Sequence, residues 1–123
     1  MALEAGIERT DTFTVEDRLV TDVGGTIGTR VLSTPGMIGM MESTSSILSF
    51  ENLDDGKATV GFEVCVKHVG AALEGSECTV HARLGEVVDG RKLRFEVEVT
   101  EGDRTIGVGT HERRVIDVGQ LAG

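Results

Sequence analysis

Glu42 is a carboxylate within a stretch of chain that is otherwise apolar or made of small residues. The stretch runs from Ser33 to Phe50 and predicts a long helix with Met and Ile side chains over much of its circumference. A helix that is apolar nearly all round is expected to be buried. A carboxylate on such a helix must be paired, protonated or functional, because an isolated charge is costly to bury.

Two further residues could do chemistry, although each also has an ordinary structural explanation. Thr34 precedes Pro35 and is predicted to be the N-cap of the helix, with Pro35 at the first helical position, where no N–H is needed. His68 lies in line with Val64 and Val66 on a predicted strand, where a histidine is most often a packed core or interface residue. Glu42 itself would be an ordinary solvated residue if the helix were less covered.

The elements that position these residues are predicted from alternating and turn-forming patterns. Residues 1–10 carry no pattern and are expected to fray, Asp11 to Val20 alternate as a strand, and the Gly-rich segment 21–30 is predicted to be a loop leading to the helix. Four alternating runs follow the helix and are joined by short Gly-containing links typical of hairpins. These runs are Ala58 to Ala71, Ser76 to Val88, Leu93 to Val99 and Thr105 to Ile116. The order predicts a single α+β domain over residues 1–123, with an antiparallel sheet of about five strands wrapped around one central helix.

Composition narrows the classes of function. A formal net charge of -9 argues against a nucleic-acid binder, although a local cluster of Arg residues could still hold a small anion. Cys65 and Cys78 lack metal-site spacing and are interpreted as buried thiols in a reducing compartment. No apolar run is long enough to span a membrane and no signal-peptide pattern is present, so we expect a cytoplasmic protein.

The order strand, long helix, four strands is that of the hotdog fold, and two motifs make the resemblance closer. The segment from Gly109 to Arg113 (Gly-Thr-His-Glu-Arg) resembles the C-terminal motif of the fluoroacetyl-CoA thioesterase family, and Met37 to Glu42 resembles that family's helix. A Thr, a Glu eight residues later, a Gly on the following strand and a His seven residues after that Gly also match the family's spacing. Here these residues are Thr34, Glu42, Gly61 and His68.

The resemblance implies an acyl-CoA thioesterase that needs no cofactor and no metal and forms a homodimer. It implies that Glu42 and Thr34 act in the attack on the acyl carbonyl and that His68 transfers a proton. Histidine suits this work because imidazole titrates near neutral pH. Arg113 is expected to orient a carboxylate or to hold a phosphate of coenzyme A.

The carbonyl must be polarised during thioester hydrolysis, and the start of the helix could do this. The N–H groups of Gly36 and Met37 are expected to be free and, with the helix dipole, to bind a developing oxyanion. Gly61 is expected either to add a backbone N–H donor or to let the acyl group approach closely, because it has no side chain.

One departure from the family pattern concerns the acyl group. The family carries a Phe-containing lid ahead of the Thr, whereas this chain has Gly24, Gly25, Ile27 and Gly28 in that segment. We therefore expect a more general short or medium acyl-CoA substrate. Two alternatives remain open: a hotdog hydratase or dehydratase, and a non-catalytic protein that binds acyl-CoA.

Overall fold

A computed structural model describes residues 3–122, and it contains one long helix lying against one face of a five-stranded antiparallel sheet. The large sheet has the strand order β1-β5-β6-β7-β4, and β2 and β3 form a separate two-stranded ribbon. The elements in chain order are β1 (Glu8–Thr14), a 3-10 helix (Asp17–Leu19), β2 (Val20–Thr21), β3 (Val31–Leu32), α1 (Thr34–Phe50), β4 (Lys57–His68), β5 (Glu77–Val88), β6 (Lys92–Glu101), β7 (Arg104–Asp117) and a second 3-10 helix (Val118–Ala122).

The predicted α+β order and the four strands after the helix are confirmed, with ends that differ by a few residues. The N-terminal strand differs more, because it begins at Glu8 and ends at Thr14 instead of running to Val20. It is paired with β5 over its whole length, so Glu8 to Thr10 belong to the sheet although no element was predicted there. Met1 and Ala2, the first residues of the segment expected to fray, lie outside the described residues.

The core lies between α1 and the concave side of the sheet. Alternate residues of β5 and β6 face the helix, as the period-2 pattern predicts, and each inward side chain is buried. The hairpin between these strands turns at Asp89 and Gly90, which both have positive φ as a type I′ turn requires. The inward-facing residues of these strands are Cys78, Val80, Ala82 and Leu84 on β5, and Leu93, Phe95, Val97 and Val99 on β6.

The helix is buried along one face only, which corrects the expectation of burial all round. Met37, Met40 and Met41 pack into the core, whereas Ile47 and Phe50 are exposed. The sheet curls over one side of α1, and no element within residues 3–122 covers the other side. Glu42 lies at the boundary of the two faces with 43% of its side chain exposed, so its charge remains in contact with solvent.

The C-terminal half of β7 is buried, although its charged sequence is typical of the solvated end of a strand. His111, Glu112 and Arg113 are all buried. His111 and Arg113 face the helix, while Glu112 is bonded to Arg94 and Arg114. The Arg114 guanidinium, together with Arg94, holds the pKa of the Glu112 carboxyl below its ordinary value.

Strand β4 is one edge of the sheet and is exposed along most of its length. Its pairing with β7 is irregular between Gly61 and Glu63, where Phe62 forms a bulge and Arg114 stacks on the Phe62 ring at 3.6 Å from its centroid. Val60, Phe62 and Val64 are exposed large apolar residues on this edge. The bulge also breaks the alternation that the sequence predicts from Val60 to His68. No helix in the described part of the chain is long and apolar enough to cross a membrane.

Candidate active site

The start of α1 is capped by Ser33, one residue before the predicted cap. The Ser33 hydroxyl accepts a hydrogen bond of 3.0 Å from the N–H of Gly36, and the Ser33 carbonyl accepts one of 2.9 Å from the N–H of Met37. Both N–H groups are therefore occupied, and both residues are buried. The prediction that Gly36 and Met37 offer free donors to an oxyanion is wrong, because the cap and the first helical turn use them.

Capping by Ser33 leaves the Thr34 side chain available for another partner. The Thr34 hydroxyl lies 2.9 Å from His68 Nδ1, so the first residue of α1 and the last residue of β4 are joined by a hydrogen bond. Thr34 is exposed and His68 is half-buried. His68 also lines an open depression of about 270 Å³ together with Val31, Leu32 and residues 69–71. The structure thus brings two predicted site residues together beside an accessible space.

Glu42 lies two helical turns further along α1, against a different part of β4. A Cβ atom placed on Gly61 would be 3.0 Å from Glu42 Oε2, 3.6 Å from His111 Cε1 and 3.7 Å from Arg113 Nη1. The absence of a side chain at Gly61 therefore lets the carboxylate lie directly over β4. Arg113 Nη1 is 4.0 Å from Glu42 Oε2, the outer limit of an ion pair.

The Arg113 guanidinium, on β7, is hydrogen-bonded to Thr59 of the neighbouring strand β4. Its Nε donates to Thr59 Oγ1 at 2.8 Å and its Nη2 donates to the Thr59 carbonyl at 3.0 Å. The side chain is 7% exposed, and burial lowers the pKa of the Arg113 guanidinium while Glu42 opposes that change. A guanidinium so covered and fixed beside a carboxylate supports the expected carboxylate-orienting role over contact with a phosphate of coenzyme A.

His111 completes this cluster, and sequence reasoning assigned it no function. Its Nδ1 lies 2.8 Å from the Glu63 carbonyl oxygen and its Nε2 lies 3.2 Å from Arg113 Nη1. Burial lowers the pKa of the His111 imidazole, and the Arg113 charge lowers it further. The hydrogen bond to the Glu63 carbonyl and the Glu42 charge raise the pKa but only partly offset this change. One sequence feature could have indicated this position. Gly107 and Gly109 share the strand face of His111, and glycines opposite a Met-rich helix indicate that the helix approaches closely.

The predicted residues therefore form two clusters, one with Thr34 and His68 and one with Glu42, Gly61, Arg113 and His111. Thr34 and Glu42 are separated by about 12 Å of helical rise. Within one chain the two clusters have no hydrogen bond in common among the described residues. One cluster offers a hydroxyl and an imidazole for proton transfer, and the other offers a partly exposed carboxylate beside a buried cation.

This chain is similar to known thioesterases in sequence and in fold. Residues 14–119 match the family model described as fluoroacetyl-CoA-specific thioesterase. The fluoroacetyl-CoA thioesterase of Streptantibioticus cattleyicolor is 38% identical over 86 residues, which are 70% of this chain and 61% of that relative. The match thus spans about three fifths of the relative's length.

Solved structures agree with the sequence match. A structure of the fluoroacetyl-CoA thioesterase superposes with a TM-score of 0.87 at 28% identity, covering 99% of this chain and 94% of that chain. A hot-dog-like protein from Thermanaerovibrio acidaminovorans superposes with a TM-score of 0.86 at 18% identity, covering 96% and 87%, and shows the fold alone. The predicted hotdog fold is confirmed, and the chain belongs to the fluoroacetyl-CoA-specific thioesterase family.

Proposed function

We propose that this protein is an acyl-CoA thioesterase that hydrolyses a short or medium acyl-CoA to a carboxylate and free coenzyme A. The observation that carries the proposal is the 2.9 Å contact between Thr34 and His68, at the positions where the family pattern has its Thr and His. The contact leaves the hydroxyl and the imidazole accessible beside an open depression. Membership of a thioesterase family supports the same reaction.

In the proposed reaction an oxygen of water or of Glu42 adds to the thioester carbonyl, the C–S bond breaks and the sulfur leaves as coenzyme A. Glu42 acts in the attack, either by taking a proton from water or by attacking the carbonyl itself and forming an anhydride that water then hydrolyses. His68 delivers a proton to the departing sulfur, and Thr34 holds the imidazole through its hydrogen bond. Trapping an acyl-enzyme would show the anhydride route, and so would oxygen-18 in Glu42 after a single turnover in labelled water, because direct attack by water labels only the carboxylate product.

The segment ahead of Thr34 supports a general acyl substrate. The family relative is named for fluoroacetyl-CoA, whose acyl group has two carbons. In this chain residues 21–30 contain three glycines with positive φ, and their apolar side chains Val23 and Ile27 are exposed. No Phe covers the site from this segment. We therefore infer that selection for a fluorinated acyl group is weak here.

The proposed active form is a homodimer that pairs along β4. The outer side of β4 has no strand beside it within residues 3–122, and an exposed apolar edge strand favours association. Gly61 and His68 lie seven residues apart on this strand. Antiparallel pairing of two β4 strands about the midpoint would place His68 of one copy opposite Gly61 of the other. The Thr34–His68 cluster of one protomer would then face the Glu42 cluster of its partner.

A cytoplasmic location is also proposed. Cys65 and Cys78 are both free thiols, and the prediction that both are buried is correct for Cys78 but wrong for Cys65, which is exposed on the edge strand β4. Burial raises the pKa of the Cys78 thiol, so that this side chain behaves as a small apolar residue of the core. Two unpaired cysteines support a reducing compartment.

A panel of acyl-CoA esters with increasing chain length tests the proposed function. We expect the purified protein to release free coenzyme A above the uncatalysed rate, as measured with a thiol reagent, and to release fluoroacetate with no large preference over acetate. Tight binding without thiol release would instead make the protein a binder of acyl-CoA. Conversion of an enoyl-CoA to its hydroxyacyl-CoA, without thiol release, would make it a hydratase.

A further inference from the structure

We infer that His111 is a positioning residue of the active site, which accepts a hydrogen bond from Arg113 at Nε2 and so holds the guanidinium facing Glu42. The inference rests on the proposed function, since it assumes that Glu42 acts in hydrolysis. It concerns a residue that does not reach the substrate and acts through its neighbour.

The direction of the hydrogen bonds follows from the partners of the imidazole. The Glu63 carbonyl oxygen, 2.8 Å from His111 Nδ1, can only accept, so Nδ1 carries the proton. The Arg113 Nη1 group, 3.2 Å from His111 Nε2, can only donate, so Nε2 must offer its lone pair. Both bonds together require the neutral imidazole with its proton on Nδ1. A protonated imidazole would point an N–H at the guanidinium and lose this bond.

The surroundings of His111 fix its ring. It is 2% exposed, and its ring stacks on Phe95 with centroids 6.4 Å apart. Since the Nδ1 partner is a backbone carbonyl of the neighbouring strand β4, the ring cannot turn without breaking this hydrogen bond. His111 is thus fixed by the sheet and in turn holds the Arg113 guanidinium in place.

Arg113 is then held at three nitrogens. Thr59 accepts from Nε and Nη2, and His111 accepts from Nη1, the nitrogen nearest to Glu42. Loss of the His111 bond frees Nη1, the nitrogen that faces the carboxylate. Small misplacements of a catalytic group cost up to about 100-fold in rate, so the expected effect is on turnover.

Two substitutions separate the acceptor of His111 from its donor. His111→Asn keeps a donor near the Nδ1 position for the Glu63 carbonyl and removes the acceptor for Arg113, whereas His111→Gln places an amide oxygen near the Nε2 position. We expect His111→Asn to lower kcat about tenfold with KM nearly unchanged, and His111→Gln to recover most of the loss. His81→Asn is the matched control, because His81 is exposed on the outer face beside Glu8 and should leave kcat unchanged.

Thr59→Val gives a second route if His111→Asn fails to fold, because it removes the other side-chain anchor of the same guanidinium. Melting curves by circular dichroism identify the folded variants. A fall in kcat without a rise in KM in both His111→Asn and Thr59→Val, together with recovery of kcat in His111→Gln, supports the inference. Wild-type kcat in a folded His111→Asn, an equal loss in His111→Gln, or a rise in KM without a fall in kcat would overturn it. Absence of thiol release by the wild-type protein would instead overturn the proposed function.

Discussion

Two neighbouring hydroxyl residues have different tasks at the start of α1. Ser33 caps the helix through Gly36, while Thr34 turns its hydroxyl to His68. The sequence could predict a helix start here but could not assign the cap, since both residue types can accept a bond from a first-turn N–H. The assignment decides whether Thr34 serves stability or chemistry.

Removing each of these hydroxyls in turn should separate an effect on activity from an effect on stability. Thr34→Val should lower kcat strongly and leave the free energy of unfolding nearly unchanged, because the cap remains. Ser33→Ala should lower the free energy of unfolding by about 1 kcal/mol, the usual loss for a helix cap. Urea unfolding and thiol-release kinetics on both variants measure this. Equal destabilisation by Thr34→Val would mean that Thr34 is mainly a cap.

His111 should also leave a signature in the pH dependence of stability. It faces Glu42 on α1, Arg113 on β7, the Glu63 carbonyl on β4 and the Phe95 ring on β6. Burial lowers the pKa of His111 in the folded state, so the unfolded chain binds the proton first as pH falls.

The stability that the neutral imidazole contributes is therefore complete above the unfolded pKa of about 6.5 and is lost as pH falls toward the lowered folded pKa. We expect the Tm of the wild-type protein to fall more steeply than that of His111→Gln between pH 7 and pH 5. Parallel curves for the two proteins would show that His111 does not titrate differently on folding.

At the scale of elements, glycines let α1 lie close to both β4 and β7. A Cβ atom on Gly61 would meet Glu42 Oε2, the end of a flexible and partly exposed side chain. A Cβ atom on Gly107 would overlap Met37 Sδ in the core. Replacement by alanine should therefore affect activity at Gly61 and stability at Gly107.

We expect Gly61→Ala to lower kcat by displacing the carboxylate while changing Tm little. Gly107→Ala should lower the free energy of unfolding by about 1–3 kcal/mol, as overpacking of a core does. Denaturant unfolding and kinetics on both variants check the contrast. A fully active Gly61→Ala would show that the position of Glu42 over β4 is not needed.

Strands β5 and β6 could be predicted from sequence because one face of each is buried and the period-2 pattern is regular from Cys78 to Leu84 and from Leu93 to Val99. Two features of the neighbouring strands could not. The bulge at Phe62 shifts which residues of β4 face the helix, and local sequence does not encode it. On β7 the inward positions near α1 are glycines and then His111 and Arg113, so hydrophobicity indicates the wrong face. The candidate residues Thr34, Glu42, Gly61 and His68 came from the family resemblance, because local patterns of hydrophobicity do not single them out.

In the whole molecule, as far as residues 3–122 show it, one side of α1 and the outer edge of β4 are uncovered. The exposed apolar side chains of Val60, Phe62 and Val64 lie on the strand that the proposed dimer would bury. Within one chain Thr34 and Glu42 are separated by about 12 Å of helical rise, and the proposed dimer would bring each cluster to the other cluster of its partner.

Association through β4 predicts a dimer that a charge on this edge disrupts. We expect a dimer by light scattering at micromolar concentration and a monomer for Val64→Lys, because burying an unpaired ammonium is costly. Leu121→Lys, an exposed apolar residue outside the sheet edge, is the matched control and should remain dimeric. A wild-type monomer, or a dimeric Val64→Lys, would contradict pairing along this strand.

If the two clusters serve one hydrolytic reaction, Glu42→Gln and His68→Ala should each lower kcat for a short acyl-CoA. Each variant removes a proton-transfer or attacking group from a different cluster and changes no core residue. We predict that both lose about 100-fold or more in kcat while they remain folded and bind substrate. Wild-type turnover in either folded variant would contradict the account.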